Sequence, residues 1–186
     1  MTRFKSCVAL AAAVALAACA VLPSPDRPVQ RAAPFDLIGR VAVTDDGRVF
    51  SSGIRWLHEA ELDEIWLLTP TGQALAHIQA GASGATLTGA DRNQYHASDV
   101  ESLTRRALGW ELPLARLTWW VRGEIVPGGA IGEAVRDQQG RLARLTQDGW
   151  NITYAHRAAN EAGPLPQRLD LARDGQQIRL VIDSWR

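Results

Sequence analysis

Cysteine and lysine are nearly absent from this chain, and each shortage excludes a class of site. The 186 residues include two cysteines and a single lysine, Lys5. Lys5 and Cys7 lie in an N-terminal segment with the features of a removable secretory signal. Cys19 is then the only cysteine, which excludes an intrachain disulfide and a cysteine-based zinc site. Without the signal segment the chain has no lysine, so it cannot build a Walker-type phosphate loop. The sequence also contains no Gly-x-Gly-x-x-Gly pattern.

The sequence also lacks a block of like charge and any recognisable catalytic arrangement. Without its first 18 residues the chain has 18 arginines and 20 acidic residues, a net charge of −2. This balance argues against nucleic acid as the partner. The four histidines are scattered without metal-ligand spacing: His58, His77, His96 and His156. We therefore predict no enzyme activity, no metal and no cofactor.

No apolar run is long enough to cross a membrane. The run from Cys7 to Leu22 is shorter than the ~20 residues that a bilayer core requires, and Pro23 ends it. A basic start at Arg3 and Lys5, followed by an uncharged apolar stretch, is typical of a secretory signal. Residues 1–18 are therefore predicted to be a signal peptide.

The signal ends in Leu16-Ala17-Ala18-Cys19, which resembles a bacterial lipobox. In proteins with this motif the cysteine is lipid-modified and becomes the first residue of the mature chain. The small residues before Cys19 also permit an ordinary cut after an Ala-x-Ala site. We prefer the lipobox, so that Cys19 is predicted to be the lipid anchor.

Residues 19–34 are predicted to form a linker between this anchor and the folded domain. The segment from Ala20 to Pro34 contains four prolines and few large apolar residues. At ~3.1 Å per residue such a segment spans roughly 45 Å. Residues 35–186 are long enough to form one domain with its own core.

The domain alternates short strand-like runs with turn signals, apart from one helical stretch. Asp-Gly pairs at Asp46, Asp148 and Asp174 predict hairpin turns. A capping box at Ser98 predicts the start of a first helix, and Pro113 suits the first turn of a second. Loop-like sequence follows the second helix. The predicted strands are 35–43, 48–57, 64–69, 73–79, 85–89, 94–97, 141–147, 150–154, 168–172 and 176–185, and the predicted loop is 124–140.

This order predicts a curved antiparallel sheet whose dry side is covered by two helices. A sheet that curls around helices can leave an apolar hollow between them. Seven tryptophans are many for this length, and large aromatic side chains form cores or line apolar pockets. Strand alternation and helical period predict a lining of Trp56, Trp66, Leu114, Leu117, Trp120, Ile178 and Leu180.

A three-residue connection, Pro70-Thr71-Gly72, joins two of the predicted strands. An early proline and a final glycine suit a type I turn closed by a left-handed glycine. We therefore expect a tight, exposed hairpin tip.

Several short motifs follow one another along the mature chain, and their order is more specific than any one of them. They are Phe35-Asp36-Leu37-Ile38-Gly39-Arg40, Thr69-Pro70-Thr71-Gly72-Gln73, Leu112-Pro113-Leu114 with Leu117, Trp120 and Gly123, Gln147-Asp148-Gly149-Trp150 with Tyr154, Leu165-Pro166, and Leu180–Trp185. In this order the motifs resemble the LolB family of Gram-negative outer-membrane lipoprotein receptors.

The resemblance implies an incomplete β-barrel closed by helices around a hydrophobic cavity. It also implies a lipid-anchored monomer on the periplasmic face of the outer membrane. Members of the family take acylated lipoproteins from the soluble carrier LolA and release them into outer-membrane lipid. Direct contact with LolA, with cargo and with membrane lipid follows for this chain as an expectation.

One departure from the family pattern concerns the hairpin tip. The family carries a protruding apolar residue there, usually leucine, which is implicated in membrane delivery, whereas this chain has Thr71. A first alternative is therefore an acyl-binding lipoprotein that holds its ligand without delivering it. A second alternative is a structural lipoprotein whose hollow is a filled core.

Overall fold

The strands of the described residues form one antiparallel sheet in the computed structural model, which describes residues 30–60, 62–157 and 165–186. The predicted anchor at Cys19, the predicted signal and most of the predicted linker lie outside these residues. The strands are β1 (Phe35–Asp45), β2 (Arg48–His58), β3 (Leu62–Leu68), β4 (Ala74–Gly81), β5 (Gly84–Gly89), β6 (Gln94–Ala97), β7 (Ile131–Arg136), β8 (Leu142–Gln147), β9 (Trp150–His156), β10 (Pro166–Arg173) and β11 (Gln176–Trp185). The helices are α1 (Val100–Leu108) and α2 (Leu114–Trp120).

The order of the strands across the sheet is β6-β5-β4-β3-β2-β1-β11-β10-β9-β8-β7. Each half is a meander of hairpins, and the pairing of β1 with β11 joins the halves. The two helices lie in the connection from β6 to β7, which are the two edge strands. This connection links the edges of an open, curved sheet, so the predicted fold class is confirmed.

One face of the sheet is apolar from β5 to β8, which leaves out only the two edge strands. In the centre, Tyr154, Leu169, Leu180, Val41 and Ser52 follow one another in a single row across five strands. The three middle residues are apolar, and all five are buried. Because side chains alternate between the two faces of a strand, the residues before and after each of these five along its own strand point to the opposite, outer face. The outer face carries charged pairs such as Arg40–Asp183.

The seam between β1 and β11 requires a glycine at position 39. A Cβ atom on Gly39 would lie 2.1 Å from the carbonyl oxygen of Val181. The strand register also shifts between Ile38 and Gly39. A side chain at this position would therefore force the two central strands apart.

The first helix begins one residue later than the sequence predicts. Asp99, not Ser98, is the N-cap, because its carboxylate accepts a hydrogen bond from the backbone N–H of Ser102 at 2.7 Å. Ser98 donates its hydroxyl to Asp99 at 2.8 Å. The predicted stop at Gly109 is confirmed, since this residue adopts the left-handed conformation with φ of 83°.

The predicted loop over residues 124–140 is wrong in its second half. It contains β7, which pairs with β8 at the edge of the sheet. Five of the six residues of β7 are exposed, so neither of its faces packs on the core. The alternation that reveals a half-buried strand is therefore missing here.

Candidate functional site

Six of the seven residues predicted to line a hollow come together on the inner side of the sheet. They belong to the buried core and come from three elements, β2, β11 and α2. None is more than 3% exposed: Trp56, Leu114, Leu117, Trp120, Ile178 and Leu180. The apolar face of α2 therefore packs towards the apolar face of the sheet.

Trp66 does not join this group, and its prediction is wrong. In the pairing of β2 with β3, Trp56 lies opposite Ile65, which places Ile65 on the inner face and its neighbour Trp66 on the outer face. There the indole stacks on His77 at a centroid distance of 4.8 Å, and the Arg55 guanidinium lies 5.4 Å from the ring centre.

The space between helix and sheet is occupied by tryptophan side chains. Trp120 of α2 and Trp150 of β9 have ring centroids 6.3 Å apart, and neither has measurable accessible surface. Leu117, one turn before Trp120, is buried beside them. The protein's own side chains therefore fill the predicted hollow beneath Trp120, while a cavity of about 330 Å³ remains beside Leu114, next to β4 and β5.

Gln147 holds the C-terminal end of α2 against the sheet. Its side-chain oxygen accepts hydrogen bonds from the indole N–H of Trp120 at 2.9 Å and the backbone N–H of Val126 at 3.0 Å. Its amide nitrogen donates to the carbonyl oxygen of Val126 at 2.8 Å. Gln147 has no accessible surface. We call this arrangement of Gln147, Trp120 and Val126 the glutamine clip.

Asp148 reinforces the clip from the next position. Its carboxylate accepts from the Arg116 guanidinium of α2 and from the backbone N–H of Ala130, each at 2.8 Å. The Arg116 hydrogen bond is the main reason why the pKa of Asp148 lies below its usual value. The turn between β8 and β9 thus contacts both α2 and the loop that follows it.

Glu111 holds the junction between the two helices. Its carboxylate pairs with Arg105 of α1 and with Arg173 of β10. Its backbone carbonyl accepts from the Gln176 side chain at 2.7 Å. Chiefly because of the Arg105 hydrogen bond, the pKa of Glu111 is lowered. Glu111 thereby connects α1 to β10.

Five side chains on the inner face have a buried hydrogen-bonding atom without a partner among the described residues. Two are histidines, His58 and His156, each of which forms a hydrogen bond through its other ring nitrogen. The remaining three have no side-chain hydrogen bond within the described part of the chain. They are the indole N–H of Trp150, the hydroxyl of Tyr154 and the hydroxyl of Ser52. Burial raises the pKa of Tyr154, so its hydroxyl remains protonated. The sequence places Trp150 and Tyr154 on one face of β9, but it gives no sign that their polar groups are unpaired.

The hairpin tip has the geometry predicted from Pro70-Thr71-Gly72. All three residues are exposed, and Gly72 is left-handed with φ of 84°. The turn is closed by a hydrogen bond from the Gly72 N–H to the Thr69 carbonyl at 2.9 Å. The Thr71 hydroxyl is engaged with that of Thr69 at 2.9 Å. The tip therefore presents a threonine whose polar group is held by its own turn.

A groove that the sequence analysis did not predict runs along the outer face to this hairpin. It has a volume of about 590 Å³ and ends at Pro70. Apolar residues such as Ile38, Leu68 and Val181 line it together with three glycines, and the side chains of Arg40 and Arg179 border it. The groove is on the opposite face from the predicted acyl-chain residues.

The described residues show neither a metal cluster nor a membrane-spanning helix. Among them, no group of three or more His, Cys, Asp or Glu side chains is placed to hold a metal ion. Neither α1, with nine residues, nor α2, with seven, has the length and apolar character to cross a bilayer.

Comparison with known proteins identifies the family. The family model described as "Outer membrane lipoprotein LolB" matches residues 33–185. The chain belongs to the LolB family. The outer-membrane lipoprotein LolB of Thiobacillus denitrificans is 38% identical over 92% of this chain and 92% of its own length. The LolB of Nitrosomonas europaea is also 38% identical, over 86% of this chain and 78% of its own length.

Solved structures with a similar arrangement share little sequence with this LolB-family chain. A LolA superfamily protein from Nitrosomonas europaea aligns with a TM-score of 0.48 and 10% identity, covering 83% of this chain and 86% of its own. A putative outer-membrane lipoprotein-sorting domain from Vibrio parahaemolyticus aligns with a TM-score of 0.46 and 7% identity, covering 84% and 86%.

Membership of the LolB family establishes the broad role and location of the protein. It is an outer-membrane lipoprotein localisation factor, anchored by lipid on the periplasmic face. The family is one of transport factors and is not a known family of enzymes.

Proposed function

We propose that this protein accepts acylated lipoproteins from the periplasmic carrier LolA and releases them into the outer membrane. Acyl chains would occupy the space between the sheet and α2, contacting Trp56, Leu114, Leu117, Trp120, Ile178 and Leu180. Cys19 would hold the protein at the membrane during the exchange.

The observation that carries the proposal is the broad apolar face of the sheet beneath a very small cover. Nine of the eleven strands contribute buried residues to the core, and the cover consists of two helices of nine and seven residues. Acyl chains and the side chains of α2 are both hydrocarbon, so chains can replace these contacts without exposing apolar surface to water. The polar attachments of the cover are concentrated at Glu111, at the glutamine clip and at the Arg116–Asp148 ion pair. Displacement of α2 would therefore break few polar contacts.

Affinity differences supply the direction of transfer in this proposal. Each buried CH₂ of an acyl chain contributes ~0.8 kcal/mol, so the chains pass from carrier to receptor without a free intermediate in water. The sequence has no Walker-type motif, so we do not invoke nucleotide hydrolysis. A receptor that binds acyl chains more tightly than LolA, but less tightly than a bilayer, passes cargo in one direction.

Thr71 favours a second candidate function, in which acyl groups are bound but not delivered. The threonine at the exposed tip has one methyl group, and its hydroxyl is held by Thr69. Such a tip inserts little apolar surface into a bilayer. The two functions therefore share acyl binding and differ in release.

A transfer experiment tests the proposal and separates the two functions. LolA loaded with a fluorescent lipoprotein is mixed with vesicles that carry the full chain, and cargo recovered with floated vesicles is measured against vesicles without it. Delivery predicts rapid transfer that depends on the chain. If the cargo that floats with the vesicles is displaced by an excess of a soluble acyl ligand instead of remaining in the lipid, the second function is the correct one.

The same transfer experiment can test how the apolarity of the hairpin tip affects the rate of cargo release. Full burial of a leucine at position 71 adds roughly 1–2 kcal/mol of attraction to the bilayer. We expect Thr71→Leu to increase the rate of release about five- to thirty-fold, with stability and acyl binding unchanged. Thr153→Leu makes the same change at an exposed position on the outer face of β9 and serves as the control. Equal rates for Thr71→Leu and the parent would show that tip apolarity does not limit release.

A further inference from the structure

Besides one ring nitrogen each of His58 and His156, the inner face carries two unpaired hydroxyls and one unpaired indole N–H that its apolar character does not explain. Trp150, Tyr154 and Ser52 are at most 9% exposed, and the polar side-chain atom of each lacks a partner among the described residues. Buried polar groups in proteins are nearly always hydrogen-bonded, and a native exception calls for a specific reason. A ligand whose polar atoms pair with these groups is one such reason.

The three groups border the apolar strip where an acyl chain would lie. Trp150 and Tyr154 are on the same face of β9, four residues and about 13 Å apart. Ser52 is in the same row as Tyr154, at the far side of Leu169, Leu180 and Val41. Of the three middle residues, Leu180 is among those predicted from the sequence to contact acyl chains. The polar groups therefore lie at the edges of the proposed site and not in a separate part of the core.

The chemistry of the three groups indicates what they bind. An indole N–H only donates, and each hydroxyl donates one hydrogen. All three are electrically neutral, because burial keeps the Tyr154 hydroxyl protonated. The nearby Arg173, whose guanidinium lies 4.5 Å from the Trp150 ring centre, already pairs with Glu111. Neutral donors in an apolar setting suit a neutral acceptor, such as the carbonyl oxygen of an ester or amide.

We propose that Tyr154, Trp150 and Ser52 form a recognition site for the carbonyl groups that link acyl chains to glycerol or to an amine. This inference rests on the proposed function, because it requires the acyl chain to enter between the sheet and α2. The donors fix the depth at which each chain stops, since the carbonyl lies at the head of the chain. They also make the site bind acylated ligands more tightly than plain hydrocarbon of equal length, which has no carbonyl oxygen.

Two probes that differ only in their carbonyl groups test the site. One is a dansyl-labelled dioctanoylglycerol diester, and the other is the matching dioctyl diether, which has no carbonyl. Each is titrated into the full chain held in lipid nanodiscs, with energy transfer from tryptophan as the signal and empty nanodiscs as background. The variants are Tyr154→Phe and Ser52→Ala, which remove unpaired hydroxyls, and Tyr95→Phe is the control. Tyr95 is the only other tyrosine, and it is exposed.

We expect Tyr154→Phe to weaken diester binding about ten-fold, equivalent to about 1.4 kcal/mol, and to leave diether binding unchanged. Ser52→Ala should weaken diester binding about three-fold, and Tyr95→Phe should alter neither probe. Thermal unfolding of each variant shows whether the fold is intact, and loss of an unpaired hydroxyl should not lower the melting temperature. A Tyr154→Phe variant that matches the parent for both probes, or that loses both equally, overturns the inference alone. A parent that binds neither probe overturns the proposed function as well.

Discussion

Gln147 is the residue whose replacement should reveal how the helical cover is held. Gln147→Leu keeps a side chain of similar size but removes all three hydrogen bonds of the glutamine clip. The indole N–H of Trp120 then loses its partner while fully buried. The N–H and the carbonyl of Val126 also lose theirs, although this residue is only half-buried and water can reach it.

The contacts set the size of the effect. A buried donor left without a partner costs about 1–3 kcal/mol, and each exposed or half-buried hydrogen bond contributes about 0.5–1.5 kcal/mol. The extra apolar surface of leucine offsets part of this loss. We therefore expect Gln147→Leu to reduce the free energy of unfolding by roughly 2–4 kcal/mol. For a domain of this size, that lowers the melting temperature by about 5–15 °C.

Urea unfolding followed by tryptophan fluorescence measures the change directly. Gln177→Leu is the matched control, because Gln177 is an exposed glutamine on β11 and makes no comparable contacts. Its midpoint should stay within about 0.5 kcal/mol of the parent. If Gln147→Leu unfolds at the same urea concentration as Gln177→Leu, with an unchanged slope, the clip does not stabilise the cover and the reasoning is wrong.

Two further predictions concern the anchor and the helix junction. Cys19→Ala should yield a soluble periplasmic protein of unchanged fold, and its retention on membranes after a salt wash would contradict the anchor. The lowered pKa of Glu111 means that its contribution to stability is present above pH 4.5 and is lost as the pH falls through the lower folded-state value. Glu111→Gln should therefore be less stable than the parent at pH 7, with the gap narrowing towards pH 3 in urea melts. A gap that widens on acidification would contradict this assignment.

The sequence predicts best those strands whose apolar and polar residues alternate cleanly. In β9, Trp150, Ile152 and Tyr154 alternate with polar Asn151 and Thr153, and the structure buries the first three. β3 offers no such contrast, because four successive residues from Ile65 are apolar. Which residues of β3 point inwards is decided by its pairing with β2, which is a tertiary contact. The prediction for Trp66 fails for that reason.

The remaining errors have the same origin in contacts between distant segments. β7 has no buried face, so its pairing with β8 leaves no pattern in its residues. Gln147 resembles an ordinary polar residue before an Asp-Gly turn, and only the approach of α2 and Val126 buries it. The unpaired groups of Trp150 and Tyr154 are likewise defined by what surrounds them, which spacing along the chain does not encode.

The central seam between β1 and β11 has a consequence for how the protein is made. Each half of the sheet is built from hairpins between neighbouring strands, whereas the pair Arg40–Asp183 at the seam spans 143 positions. Contacts this distant in sequence form slowly, because a long loop must close before they contribute. During export the β1–β6 half therefore emerges first, and the backbone hydrogen-bonding edge of β1 that faces the seam stays unpaired until β11 arrives. A chaperone that binds exposed strand edges has its longest opportunity in that interval.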